Sequence, residues 1–119
     1  MNFVDTNERA FPSGTNVIPR FARVTLNSSG ILIAAPATNA CIGTIRDDTF
    51  GVAGEVHSVR LASKGGTIPM IAASTNITAG GYVYGAASGK VDSTGTIAEG
   101  ISLVAPASAN DIIEVIPRQ

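Results

Sequence analysis

An all-β fold is what this sequence predicts: a small barrel or sandwich of short, mainly antiparallel strands with an extended N-terminal arm. Three observations carry that reading. No stretch from residue 21 onward sustains an apolar period of roughly 3.6 residues, and the best helical candidates, 34–40 and 105–110, are too short for more than a turn or two. Short runs rich in Val, Ile, Thr and Tyr recur at spacings of about 8 to 12 residues. Clusters of Gly, Pro, Asn and Ser separate those runs.

Residues 1–20 read as an arm, followed by one β domain over 21–119. Pro12, Ser13, Gly14 and Pro19 disfavour a regular element in the arm. Yet Phe3, Val4, Phe11, Val17 and Ile18 are apolar, and a disordered tail is poorer in such residues. Two outcomes stay open: the arm folds back on its own barrel, or it docks on a partner with Phe3, Val4, Phe11 and Pro12 as its contacts.

The domain then proceeds strand by strand. Residues 21–26 alternate, and Asn27-Ser28-Ser29-Gly30 is a turn in which Gly30 can take a positive φ. Ile31–Ala35 completes a hairpin. Cys41–Ile45 is the next strand, and Arg46-Asp47-Asp48-Thr49 is a charged, exposed turn. Glu55–Ala62 has the clearest alternation. Thr67–Ala73 follows, and Pro69 assigns it to a sheet edge. Tyr82–Tyr84, Ile101–Val104 and Ile112–Ile116 supply the last strands, with Pro117 ending the ladder. Val83, Ile101, Leu103, Ile113 and Val115 are the expected core of this third of the chain.

Composition removes several function classes. Eight Lys and Arg against nine Asp and Glu give a net charge of −1, and the basic residues do not cluster, so neither nucleic acid nor a membrane surface is an expected partner. The stretch between Lys64 and Lys90 is uncharged, but Pro69, Asn76, several Thr and several Gly interrupt the ~20 mainly apolar residues a spanning helix needs. The N-terminus has no basic and apolar leader pattern, so no secretory signal is expected. Charged residues make up only 14% of the chain. A surface that poor in charge is weakly protected against association, which points to burial by partners.

Chemistry is sparse. Cys41 and His57 are the only Cys and His, too few for a zinc site and for an intrachain disulfide. Cys41 reads as a small buried apolar residue. His57 lies on a strand with no nucleophile elbow in the chain. Asp47 and Asp48 are not followed by the regularly spaced oxygen ligands of a calcium loop. Lys64-Gly65-Gly66 reverses the order of a phosphate loop. Arg20, Arg23, Arg46 and Arg60 read as scattered single charges. No catalytic residue, cofactor, metal or small-molecule substrate is expected.

The segments Ile77-Thr78-Ala79-Gly80-Gly81-Tyr82-Val83-Tyr84, Ser88-Gly89-Lys90-Val91, Glu99-Gly100-Ile101-Ser102-Leu103-Val104-Ala105 and Asp111-Ile112-Ile113-Glu114-Val115 are similar to the C-terminal pattern of the tailed-phage capsid decoration, or capsid cement, proteins. Gly54-Glu55-Val56-His57-Ser58-Val59 resembles an upstream segment of that family. The chain departs at Gly81, where the family has an acidic residue, and at Gly85, where it has an aromatic. The resemblance implies a virion protein on the outer surface of the capsid, made in the host cytoplasm. It implies a homotrimer bound to the major capsid protein, stabilising the lattice at capsomer junctions. The alternative is a carbohydrate- or receptor-binding module of a head fibre or tail appendage, which would need exposed aromatic platforms; only Tyr82 and Tyr84 could serve.

A far-ultraviolet circular dichroism spectrum is expected to show strand and turn signals. A spectrum dominated by helix would refute the fold class.

Overall fold

The computed structural model describes residues 8–49, 51, 54–62 and 66–118. Phe3 and Val4 lie outside the described residues. The chain is nearly all β, and the described residues form ten strands and one 3-10 turn at Ala87–Gly89. The expected all-β class is what forms.

Five strands make the first sheet, sheet A: β1 (Glu8–Pro12), β2 (Arg23–Leu26), β3 (Leu32–Ala34), β4 (Gly43–Ile45) and β5 (Val56–Leu61), in the order β1-β5-β4-β2-β3. All its pairings are antiparallel. The β2–β3 hairpin closes as its turn chemistry dictates. The Asn27 side-chain oxygen accepts the Ser29 and Ile31 amides, and Gly30 takes φ 77°.

The other five strands make sheet B: β6 (Ile68–Ile71), β7 (Tyr82–Gly85), β8 (Val91–Asp92), β9 (Ala98–Ser102) and β10 (Ile112–Pro117), ordered β6-β10-β9-β7-β8. Pro69 does sit on the edge strand β6. The sheet curls until its two edges meet: Ala72 bridges Val91 in parallel, and the Ala73 amide donates to the Val91 carbonyl at 2.7 Å. That contact closes sheet B into a small half-barrel and covers part of an otherwise unpaired edge.

Two apolar clusters fill the molecule. Ile68, Met70, Ala72, Ile77, Val83, Val91, Ile113 and Val115 fill sheet B. Ile18, Ala22, Val24, Leu32, Ile45, Val59 and Ile71 fill sheet A, with Phe11 and Phe21 packed against them. The alternation of β10 is clean: Ile113 and Val115 are buried, and Ile112, Glu114 and Ile116 are exposed.

Three sequence expectations are corrected. First, residues 8–12 are a regular strand despite Pro12. They pair antiparallel with β5, from Glu8 opposite Arg60 to Pro12 opposite Val56. Pro12 is tolerated because it is the last residue of an edge strand. Second, Leu103 is 43% exposed and Ile101 only half-buried, whereas Val83, Ile113 and Val115 are core. The reason is a β-bulge. Val83 pairs with Gly100 and Tyr84 with Ala98, so Glu99 is an extra residue on β9. One inserted residue reverses the alternation beyond it and sends Ile101 and Leu103 outward. Third, Arg23 is not a scattered surface charge but fully buried. Gly100 beside the bulge is sterically required, since a Cβ there would lie 2.1 Å from the Ile116 carbonyl oxygen.

Ile113→Ala is expected to lower unfolding free energy by about 2 to 5 kcal/mol, and Leu103→Ala by well under half of that, in chemical denaturation. Equal losses would show that the face assignment around the bulge is wrong.

Candidate functional site

Three features stand out from the scaffold: a buried charge cluster between the sheets, the free edge of β1, and an apolar outer face on sheet B.

The buried cluster begins with Arg23 on β2. Its side chain is 0% exposed and that of Glu99 6%. Arg23 Nη1 donates to Glu99 Oε2 at 2.9 Å and to the Asn39 carbonyl at 3.3 Å. Nε donates to the Lys90 carbonyl at 2.8 Å. Nη2 donates to the carbonyls of Ala86 at 2.9 Å, Ala35 at 3.2 Å and Pro36 at 3.4 Å. All three nitrogens of the guanidinium fork therefore have acceptors. Ala35, Pro36 and Asn39 follow β3 in sheet A, while Ala86 and Lys90 connect β7 to β8 and Glu99 lies on β9 in sheet B, so one side chain ties the two sheets. Gly85 makes the room: a Cβ there would lie 3.0 Å from both Nη1 and Nη2.

Cys41 borders this cluster. The residue is half-buried, and its thiol is pushed up to about 12, first by burial and then by the Glu99 carboxylate, with Arg23 opposing. A thiol held neutral is a poor nucleophile. The group contributes stability that is present below the ordinary thiol range and fades as pH rises toward 12.

The β1 edge is built differently. Among the described strands, β1 is the terminal strand of sheet A and pairs with β5. Arg9 lies over the Phe11 ring at 5.2 Å, and Glu8 pairs with Arg46 at 3.4 Å. Phe11 is half-buried against the sheet A cluster, and Pro12 is exposed. Of the four proposed contact residues, then, Phe11 belongs partly to its own domain. Pro12 stands at the surface, and Phe3 and Val4 precede the described residues.

The outer face of sheet B is apolar. Ile116 pairs with Ile101, and Ile101 with Tyr82, so the three form one cross-strand row. Paired residues share a face. Tyr82 is 58% exposed and Ile116 46%. The row lines a cleft of about 490 Å³ together with Tyr84, Thr96, Ala98, Pro117 and Arg118. Leu103 and Ile112 are exposed on the same face. Four of the seven exposed large hydrophobics among the described residues thus gather on one sheet. Exposed apolar patches of this kind are candidates for interaction surfaces.

No catalytic constellation accompanies these features among the described residues. His57 Nε2 lies 3.5 Å from Glu55 Oε2. Among the described residues, no group of three or more His, Cys, Asp or Glu could hold a metal ion, and no helix is long and apolar enough to cross a membrane. Sequence reasoning missed Arg23 and Glu99, and the inverted alternation at the bulge is the only local feature that distinguishes Glu99.

No family model matches this chain, and no curated protein matches it.

Arg23→Ala is expected to destabilise the fold by about 3 to 5 kcal/mol, because Glu99 and several carbonyls stay buried without a donor. The double change Arg23→Met/Glu99→Leu should recover much of that loss in denaturant titrations. A double variant no better than Arg23→Ala would show that the hydrogen bonds, not the unpaired charge, carry the effect. The Cys41 thiol is expected to alkylate far more slowly at pH 8 in the folded protein than in denaturant; equal rates would contradict its raised pKa.

Proposed function

We propose that this chain is a non-enzymatic structural protein of a tailed-phage virion. It decorates the outer surface of the head and stabilises the capsid lattice at capsomer junctions. The observation that carries this reading is the edge strand β1. Among the described strands β1 is the end of sheet A, next to β5 alone, and residues 1–7, with Phe3 and Val4, precede it in the sequence. A sheet edge reached by a segment that carries Phe and Val is an arrangement by which one protein adds to another's sheet or groove. The similarity of residues 77–115 to the decoration family supplies the partner, the major capsid protein, and a trimer as the bound form. The low content of charged residues, 14%, agrees with a surface meant to be covered.

The mechanism is linkage. A protein that binds the assembled lattice and not the separated capsomers shifts the equilibrium toward the lattice. Each bound copy spans a junction, so separating capsomers must also break its contacts. Many sites per head multiply a modest free energy per site.

The rival reading, a carbohydrate-binding module, would use Tyr82 as its platform. Ile101, Ile116 and Pro117 line the same cleft, with Tyr84, Thr96 and Arg118 as its polar side chains. Leu103 and Ile112 extend the face with further exposed apolar area, which suits a protein surface better than a sugar.

The test is electron microscopy of expanded, undecorated heads of the source phage mixed with the full chain and with a chain lacking residues 1–7. The full chain should add density at local threefold positions. The shortened chain should keep its melting temperature and lose head binding. Full-strength binding without residues 1–7 would remove the arm from the attachment site, and no density with either chain would end the decoration reading.

A further inference from the structure

The outer face of sheet B is complementary to itself. Along β10 alternate residues face out: Ile112, Glu114 and Ile116, and Arg118 just beyond the strand is exposed as well. The Arg118 amide still donates to the Glu99 carbonyl, so the chain remains in the sheet there. Ile116 therefore stands midway between an acid and a base. Each is two residues away, about 6.6 Å along the strand. The hydroxyl of Thr67 donates to Glu114 Oε2 at 2.7 Å, which orients the carboxylate and leaves it further acceptor capacity.

A two-fold axis through Ile116 reverses the strand direction. It lays Glu114 of one copy over Arg118 of the other, and does so twice. We propose that two copies of this chain associate face to face through the row of Tyr82, Ile101 and Ile116, locked by the two Glu114–Arg118 pairs. Facing sheets pack about 10 Å apart with their strands nearly aligned, a gap that an Arg and a Glu reaching toward each other can close. The apolar row supplies the contact at the centre, and the charge pairs at the rim set the register. A foreign partner has no need of an acid and a base equidistant from one apolar residue; a second copy does. The net charge of −1 gives little repulsion to overcome.

This contact is separate from the decoration reading and does not rest on it. A threefold ring joins two unlike patches on each copy, whereas this face meets its own image.

The experiment is sedimentation of the full chain over a wide concentration range, with Glu114→Arg, Arg118→Glu, the double reversal and Ile116→Glu. The wild type should reach twice the 12.1 kDa chain mass. Either single reversal sets like charges against each other and should weaken the dimer roughly tenfold or more. The double reversal should restore it, and Ile116→Glu should abolish it. All these positions are exposed, and circular dichroism melts check that each variant folds. A wild type monomeric at the highest concentration overturns the proposal, and so does a trimer or dimer indifferent to the reversals. If Ile116→Glu leaves the mass unchanged but loses head binding, the face belongs to the capsid and the proposal falls while the decoration reading stands. Loss of self-association with intact head binding supports the proposal.

Discussion

Arg23 and Glu99 form the constraint on which the arrangement of the two sheets depends. A guanidinium taken out of water loses several kcal/mol of solvation unless the interior replaces it. Here the interior does so with one carboxylate and five backbone carbonyls, drawn from both sheets. The carbonyls lie on the segments after β3 and after β7, so the paths of both loops are tied to one side chain. Shifting one sheet against the other would strand a buried charge and several carbonyls together. Hydrophobic contacts alone tolerate small slides between sheets; a satisfied buried network does not.

The same pair explains an irregularity that would otherwise look like a defect. Regular β9 pairing would aim Glu99 away from Arg23. The bulge between Gly100 and Ala98 inserts Glu99 as an unpaired residue and turns it inward. Its second effect is on the surface. Beyond the bulge Ile101 and Leu103 face outward, beside Tyr82 and Ile116, so the apolar face follows from the geometry that buries the carboxylate. Stability inside and stickiness outside are coupled through one inserted residue.

The molecule also divides its contacts in space. Sheet A ends in the open β1 edge, where Phe11 anchors the strand and Pro12 stops it. Sheet B closes its own edges at Ala72 and Val91 and presents a face instead. An edge recruits a partner through backbone hydrogen bonds, and a face through side-chain area.

The sequence by itself determined the strand class, the hairpin at Asn27–Gly30, the edge position of Pro69 and the two faces of β10. These are local properties: alternation, turn chemistry and the missing proline donor act over a few residues, and no distant contact is needed to decide them. Only the tertiary structure decided that residues 8–12 become a strand, because β5 had to offer them an edge. It alone decided that Arg23 is buried, since the acceptors that make burial tolerable lie 12 to 76 residues away in the chain. It alone decided that Leu103 faces out, because a single extra residue at Glu99 reverses the alternation from which its place would be read. Charge pairing and register are settled between elements, and a lone chain of letters carries them only once the elements have met.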